Sequence, residues 1–114
     1  MQFRWGVFSA NLDPVVGSEQ RGRRLVLVVS QEDSNLLLPI VTVLPITSRK
    51  PNRREYPNEV ALPAGTAGLA VESLVLAHQI RTLSKERIGA PLGHVDDPIW
   101  QKRVRDALRF HLDL

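Results

Sequence analysis

A chain of 114 residues with 43% hydrophobic and 24% charged residues has the make-up of a soluble globular protein and the length of one domain. That excludes a disordered polypeptide and a second core of useful size. Cysteine is absent, which excludes disulfides, thiolate zinc sites and cysteine nucleophiles and suits a reducing compartment. The net charge is only +3, from 15 Lys and Arg against 12 Asp and Glu, so a polyanion would have to be held by local clusters of charge.

Taken in chain order, the start Met1-Gln2-Phe3-Arg4-Trp5-Gly6 lacks the apolar run of a signal peptide. No stretch approaches the roughly 20 apolar residues that span a bilayer, and a cytoplasmic protein that does not enter a membrane is expected. A first strand is predicted from about Trp5 to Leu12, closed by Asp13-Pro14. The loop after it carries Arg21, Arg23 and Arg24, with Arg4 as an expected spatial neighbour. Leu25 to Ser30 is a β-branched run suited to a strand buried on both faces, followed by a polar stretch over 31–35. Ile40 to Leu44 predicts the next strand, which Pro45 should end, bulge or place at a sheet edge.

A long basic loop with Arg49, Lys50, Arg53 and Arg54 follows, and Glu59 to Leu62 reads as a short strand. Ser73 to Arg81 reads as a longer one, with Leu74, Leu76, His78 and Ile80 on one face and Val75, Ala77, Gln79 and Arg81 on the other. After a single helical turn near Ser84 to Arg87, Asp97-Pro98 supplies an N-cap and a proline at the first helical position. The helix that starts there carries Trp100, Val104, Ala107, Leu108 and His111 as a stripe. About five short strands and a closing helix, without βαβ alternation, predict a mostly β protein: a small antiparallel barrel or strongly bent sheet. No Gly-rich phosphate loop, Ser-His-Asp grouping or metal cluster is visible, and no cofactor is expected. His94, Asp96 and Asp97 read better as caps than as ligands.

The run Asn11-Leu12-Asp13-Pro14-Val15-Val16-Gly17-Ser18-Glu19-Gln20-Arg21-Gly22-Arg23-Arg24, continued by Leu25 to Ser30, resembles the N-terminal signature of the MazF/PemK family of toxin endoribonucleases. Leu44-Pro45-Ile46-Thr47-Ser48 and His78-Gln79-Ile80-Arg81-Thr82-Leu83 are similar to later segments of that family, in the same order and spacing. The resemblance implies an SH3-like barrel with a C-terminal helix, of the MazF/CcdB-like type. It also implies a homodimer that cuts single-stranded RNA at short motifs without a metal and is held inactive by a cognate antitoxin. It places the family's catalytic arginine on Arg24 and its catalytic threonine on Thr47, with Glu19 and Gln20 touching RNA. This chain departs from the pattern at Leu25, where the family usually has proline, and at Arg4-Trp5-Gly6-Val7, where it often reads Arg-Gly-Asp-Val. It departs again at His78, where many relatives carry glutamate.

Metal-free RNA cleavage joins a 2′-hydroxyl to its own phosphate, giving a 2′,3′-cyclic phosphate and a 5′-hydroxyl. It needs a proton acceptor, a cation for the phosphorane oxygens and a donor to the leaving oxygen. The Arg24 guanidinium, which stays charged, suits the phosphorane and not the proton. Thr47 can donate its hydroxyl to a phosphate oxygen. Glu19 is the carboxylate close in sequence to Arg24 and of suitable chemistry, a candidate base or water-orienting group, with His78 a second candidate. Arg21, Arg23, Arg49 and Lys50 should meet phosphates, and Gln79 and Arg81 base edges or backbone. Ser18, Gln20, Ser48 and His78 complete the expected RNA-binding set.

Aromatics for base stacking are scarce, with Trp5, Phe8 and Tyr56 the ones expected near loops or strand ends. Blander readings stand beside these: Glu19 in an ion pair with a neighbouring arginine, His78 packed on an apolar face, the second basic loop merely solvated. Two functional alternatives stay open on the same barrel, a non-catalytic gyrase inhibitor of the CcdB-like lineage and a degenerate RNA-binding module.

Overall fold

The computed structural model describes residues 2–114. Strands β1 (Gly6–Asn11), β2 (Arg23–Val28), β3 (Ile40–Ser48), β4 (Glu59–Leu62), β5 (Ser73–Leu76), β6 (Arg81–Ser84) and β7 (Ile88–His94) alternate with a short helix α1 (Glu32–Leu37) and end in α2 (Pro98–Leu112). They form a seven-stranded sheet in the order β4-β5-β3-β2-β1-β7, with β6 paired to the other half of β3. Every pairing is antiparallel. A 3-10 turn over Thr66–Gly68, after β4, packs on β7, where a Cβ on Gly93 would overlap the Ala67 carbonyl. The two ends of the sheet are thereby drawn together into an open barrel of the expected mostly β class.

The double-sided burial expected of the second run is observed. Leu27 packs with Val7, Leu44, Ile46 and Val75 beneath α2, which contributes Val104 and Ala107. Val26 and Val28 face the opposite way, with Phe8, Ala10, Leu12, Val41 and Val43. Alternation along each strand divides the apolar residues between two cores. Burial of this kind, at about 25 cal/mol per Å² of apolar surface, is what opposes chain entropy here.

Several predicted elements are redrawn. β2 begins two residues early, because Arg23 and Arg24 pair with Asn11 and Ala10 of β1. The polar stretch over 31–35 opens α1, which runs on to Leu37 and is capped by the Gln31 side chain, which accepts from Ser34 N at 3.0 Å. Pro45 does not end β3. It pairs with Val26, and on its other side β3 passes from β6, through Val43, to β5, from Ile46, so no ladder donor is required of it there. The long strand read over 73–81 is broken by a 3-10 turn at Ala77–Gln79, which ends the face alternation expected of it. β7 was not predicted: Gly89, Pro91 and Gly93 hide its pattern. α2 starts on Asp97, whose side chain accepts from Ile99 N at 2.9 Å. His111, read as part of its buried stripe, is exposed. Trp5 and Phe8 are buried, 5% and 2% exposed, which removes them as stacking surfaces and leaves Tyr56 at 47%.

Candidate active site

The Gly17 to Arg24 loop is a built structure. Gly17 and Gly22 take φ of +60° and +72°, a region that a Cβ disfavours. Glu19 caps the first bend by accepting from Val16 N at 2.9 Å. Gly22 N donates to Asp13 Oδ1 at 3.0 Å, and Arg21 donates to the Gly17 carbonyl at 3.1 Å. The root of the loop is held from β6 and the turn beyond it: Arg81 donates to the Leu12 carbonyl at 3.1 Å and Arg87 to that of Asp13. Gln20 N donates to Gln79 Oε1 at 2.8 Å, tying the loop to the 3-10 turn after β5.

Arg24 lies at the start of β2, opposite Ala10. Leu25 and Ile46 of β3 form the last pair of that ladder, and Arg24 and Thr47 are the residues just beyond it on the two strands, which alternation sets on the face of Val26 and Val43. Arg24 spends Nε on the Arg21 carbonyl at 3.0 Å, which leaves its terminal nitrogens toward solvent. From Thr47 a groove runs across the sheet. One half is lined by Thr47, Ser48, Lys50, Arg53, Leu74 and Leu76, the other by Glu19, Pro45, Ile80 and Arg81. Gln20, His78 and Gln79 belong to both halves.

One buried charged residue at the groove escaped the sequence reading. Glu59, at the start of β4, is 4% exposed and lies beneath the groove. Its Oε2 accepts from Arg53 at 2.7 Å and lies 2.7 Å from His78 Nε2, and its Oε1 accepts from Tyr56 N at 3.1 Å. Burial pushes the Glu59 carboxyl up, but the hydrogen bonds from Arg53, His78 and the Tyr56 N–H outweigh it and hold the pKa below the usual carboxylate value. The available signal was alternation in β4, which sets Glu59 and Ala61 apart from the core positions Val60 and Leu62. Nothing in the spacing tied Glu59 to His78.

The remaining expected site residues divide. Thr47, Ser48, Lys50, Gln20, Gln79, His78, Glu19 and Arg81 line the groove together. Ser18 and Arg21 are exposed on the loop beside it. Arg23 points to the opposite sheet face, where it donates to Ser9 Oγ at 3.0 Å. Arg49 is turned back onto the Arg53 carbonyl at 2.9 Å and toward Glu72 at 3.6 Å. His94 bridges Asp96 and the Arg4 carbonyl, at 2.7 and 2.8 Å, as a structural tie. Among the described residues, no group of three His, Cys, Asp or Glu side chains could hold a metal ion.

Lys50, Arg53 and Arg81, with hydroxyl and amide groups, give this open antiparallel barrel a groove whose chemistry is compatible with an extended polyanion. Residues 3–112 match the family model of the PemK-like, MazF-like toxin of type II toxin-antitoxin systems, and the chain belongs to that family. It is 38% identical to the endoribonuclease EndoA of Bacillus subtilis over 97% of this chain and 94% of that one. It is 35% identical to the endoribonuclease MazF9 of Mycobacterium tuberculosis, over 100% and 98%. Among solved structures, MazF from Deinococcus radiodurans superposes with a TM-score of 0.80 at 32% identity, covering 97% and 96%. An endoribonuclease in complex with its cognate antitoxin, from a mycobacterial species, superposes with a TM-score of 0.81 at 25% identity, covering 100% and 97%.

Proposed function

We propose that this protein is a sequence-specific, metal-independent endoribonuclease toxin. It cleaves single-stranded RNA in the cytoplasm to 2′,3′-cyclic phosphate and 5′-hydroxyl ends and is neutralised by a cognate antitoxin. The observation that carries the reading is the groove itself, lined by Thr47, Lys50, Arg53 and Arg81, with Arg24 exposed on the neighbouring strand β2 one residue before the Leu25–Ile46 pair. The two terminal nitrogens of the guanidinium can donate to the non-bridging phosphate oxygens, and the Thr47 hydroxyl adds a further donor, where negative charge develops as the phosphorane forms. The proton of the 2′-hydroxyl needs an acceptor within the groove, and Glu19 and His78 are the groups of suitable chemistry that line it.

Lys50 and Arg81 line the path of the backbone, with Arg21 beside it, while Gln20 and Gln79 offer amide groups to base edges. The same charge suits an acidic antitoxin segment, which would compete with RNA for the groove. Solved relatives include complexes with an antitoxin. A homodimer finds its best surface in Leu36, Leu37, Leu38 and Ile40, which are 60%, 83%, 48% and 41% exposed in one contiguous stretch. Incubation of the purified protein with single-stranded RNA in excess chelator, followed by mapping of the cuts and their ends, tests the reaction. Cyclic phosphate ends at a short motif are expected, and intact RNA would overturn the reading.

A further inference from the structure

We propose that Glu59 is a positioning residue that holds His78 with Nε2–H against a buried carboxylate, so that Nδ1 stands in the groove as the acceptor of the 2′-hydroxyl proton. The proposal rests on the RNA-cleaving reading above and assigns its general base.

Geometry decides the tautomer. A carboxylate offers only lone pairs, so the hydrogen in the 2.7 Å contact between His78 Nε2 and Glu59 Oε2 belongs to the ring. Glu59 is held ionised, and Arg53 occupies the same oxygen at 2.7 Å, which limits its pull on that proton. The His78 side chain is 29% exposed and Glu59 only 1%, so with Nε2 taken the ring nitrogen left for a ligand in the groove is Nδ1. His78 also belongs to both halves of the groove, beside Thr47 in one and Glu19 in the other. Glu19 belongs to one half, and its carboxylate is engaged with its own loop at Val16 N.

In the step assigned to this pair, the 2′-oxygen bonds to phosphorus as its proton passes to His78 Nδ1. The bond from phosphorus to the 5′-oxygen breaks, and that oxygen takes a proton from water in the open groove. The imidazolium then returns its proton to solvent. The charged groups around the ring are Glu59 from β4, Arg53 and Lys50 from the loop after β3, Glu19 from the loop before β2 and Arg81 from β6. Glu59 is the one in hydrogen-bond contact, so its removal should destabilise the imidazolium most.

The test is the pH profile of kcat/KM on a single-stranded RNA oligonucleotide in chelator, with RNA affinity measured in parallel. His78→Gln is expected to lower kcat by at least about 100-fold with little change in affinity, and to abolish the acid limb. Glu59→Gln is expected to lower kcat about tenfold and move that limb to lower pH, because the imidazolium loses its carboxylate. Arg53→Met, at a partly exposed position, keeps the assignment testable should Glu59→Gln not fold. It is expected to move the limb to higher pH, since Glu59 then faces the ring without a competing cation. Wild-type kcat in His78→Gln, or a limb that stays in place in the folded Glu59 and Arg53 variants, overturns the assignment. In that case, if the unaltered protein cleaves and Arg24→Ala does not, the cleavage reading stands. Absence of cleavage by the unaltered protein overturns both.

Discussion

At Arg24 the chain meets two demands with one side chain. Nε donates to the Arg21 carbonyl and sets the angle of the guanidinium, while the exposed terminal nitrogens are left for the phosphate of the proposed substrate. Arg24→Ala is expected to abolish detectable cleavage in the oligonucleotide assay. Arg24→Lys should restore little of it, because an ammonium cannot keep the tie to Arg21 and also present a fork. Glu19→Gln retains an acceptor for Val16 N, so it should cost cleavage only a few-fold, whereas a loss as deep as that of His78→Gln would make Glu19 the base. Arg24, Thr47 and Glu19 were singled out through the resemblance of local segments to the family. Glu59 was not, because its meaning lies in contacts with Arg53 and His78 that only the folded sheet supplies.

The elements that present these side chains are held by backbone geometry as much as by apolar burial. Gly22, at φ +72°, lets the loop turn and donate to Asp13. Gly22→Ala should cost about 1 kcal/mol in denaturant unfolding and, by displacing Arg24, proportionally more activity than stability. Asp97→Ala should cost about 1 kcal/mol through loss of the N-cap of α2, with cleavage unchanged at temperatures where the protein stays folded. The strand β2 could be read from its β-branched run because both faces are apolar. The break between β5 and β6 could not, since Ala77-His78-Gln79 has no breaker residue. The turn there follows from β3 needing two different partners along its length.

At the scale of the whole molecule, two carboxylates link its parts. Glu32 accepts from Phe3 N and Arg4 N, at 2.9 and 2.8 Å, and pins the N-terminal segment to α1; Glu59 joins β4 to the basic loop and to the turn after β5. For both, burial acts upward, but hydrogen bonds prevail and the folded pKa lies below the ordinary value. Such groups contribute stability that is present above the unfolded-state carboxylate range and lost as pH falls through the depressed folded value. Stability against unfolding should therefore fall below about pH 4, in the range where free carboxyls protonate, and Glu59→Gln should flatten that loss. In sedimentation, Leu37→Glu is expected to convert the proposed dimer to monomer.

The sequence by itself determined the strand-rich class, the N-cap of the final helix and the loop that carries Arg24, because periodicity, capping and turn chemistry are local. Only the tertiary structure decided that Pro45 lies within a paired strand, that Arg23 faces away from Arg24, and that a buried glutamate stands behind His78. Those outcomes depend on which strand lies beside which, and pairing between distant segments is set by burial across the whole sheet.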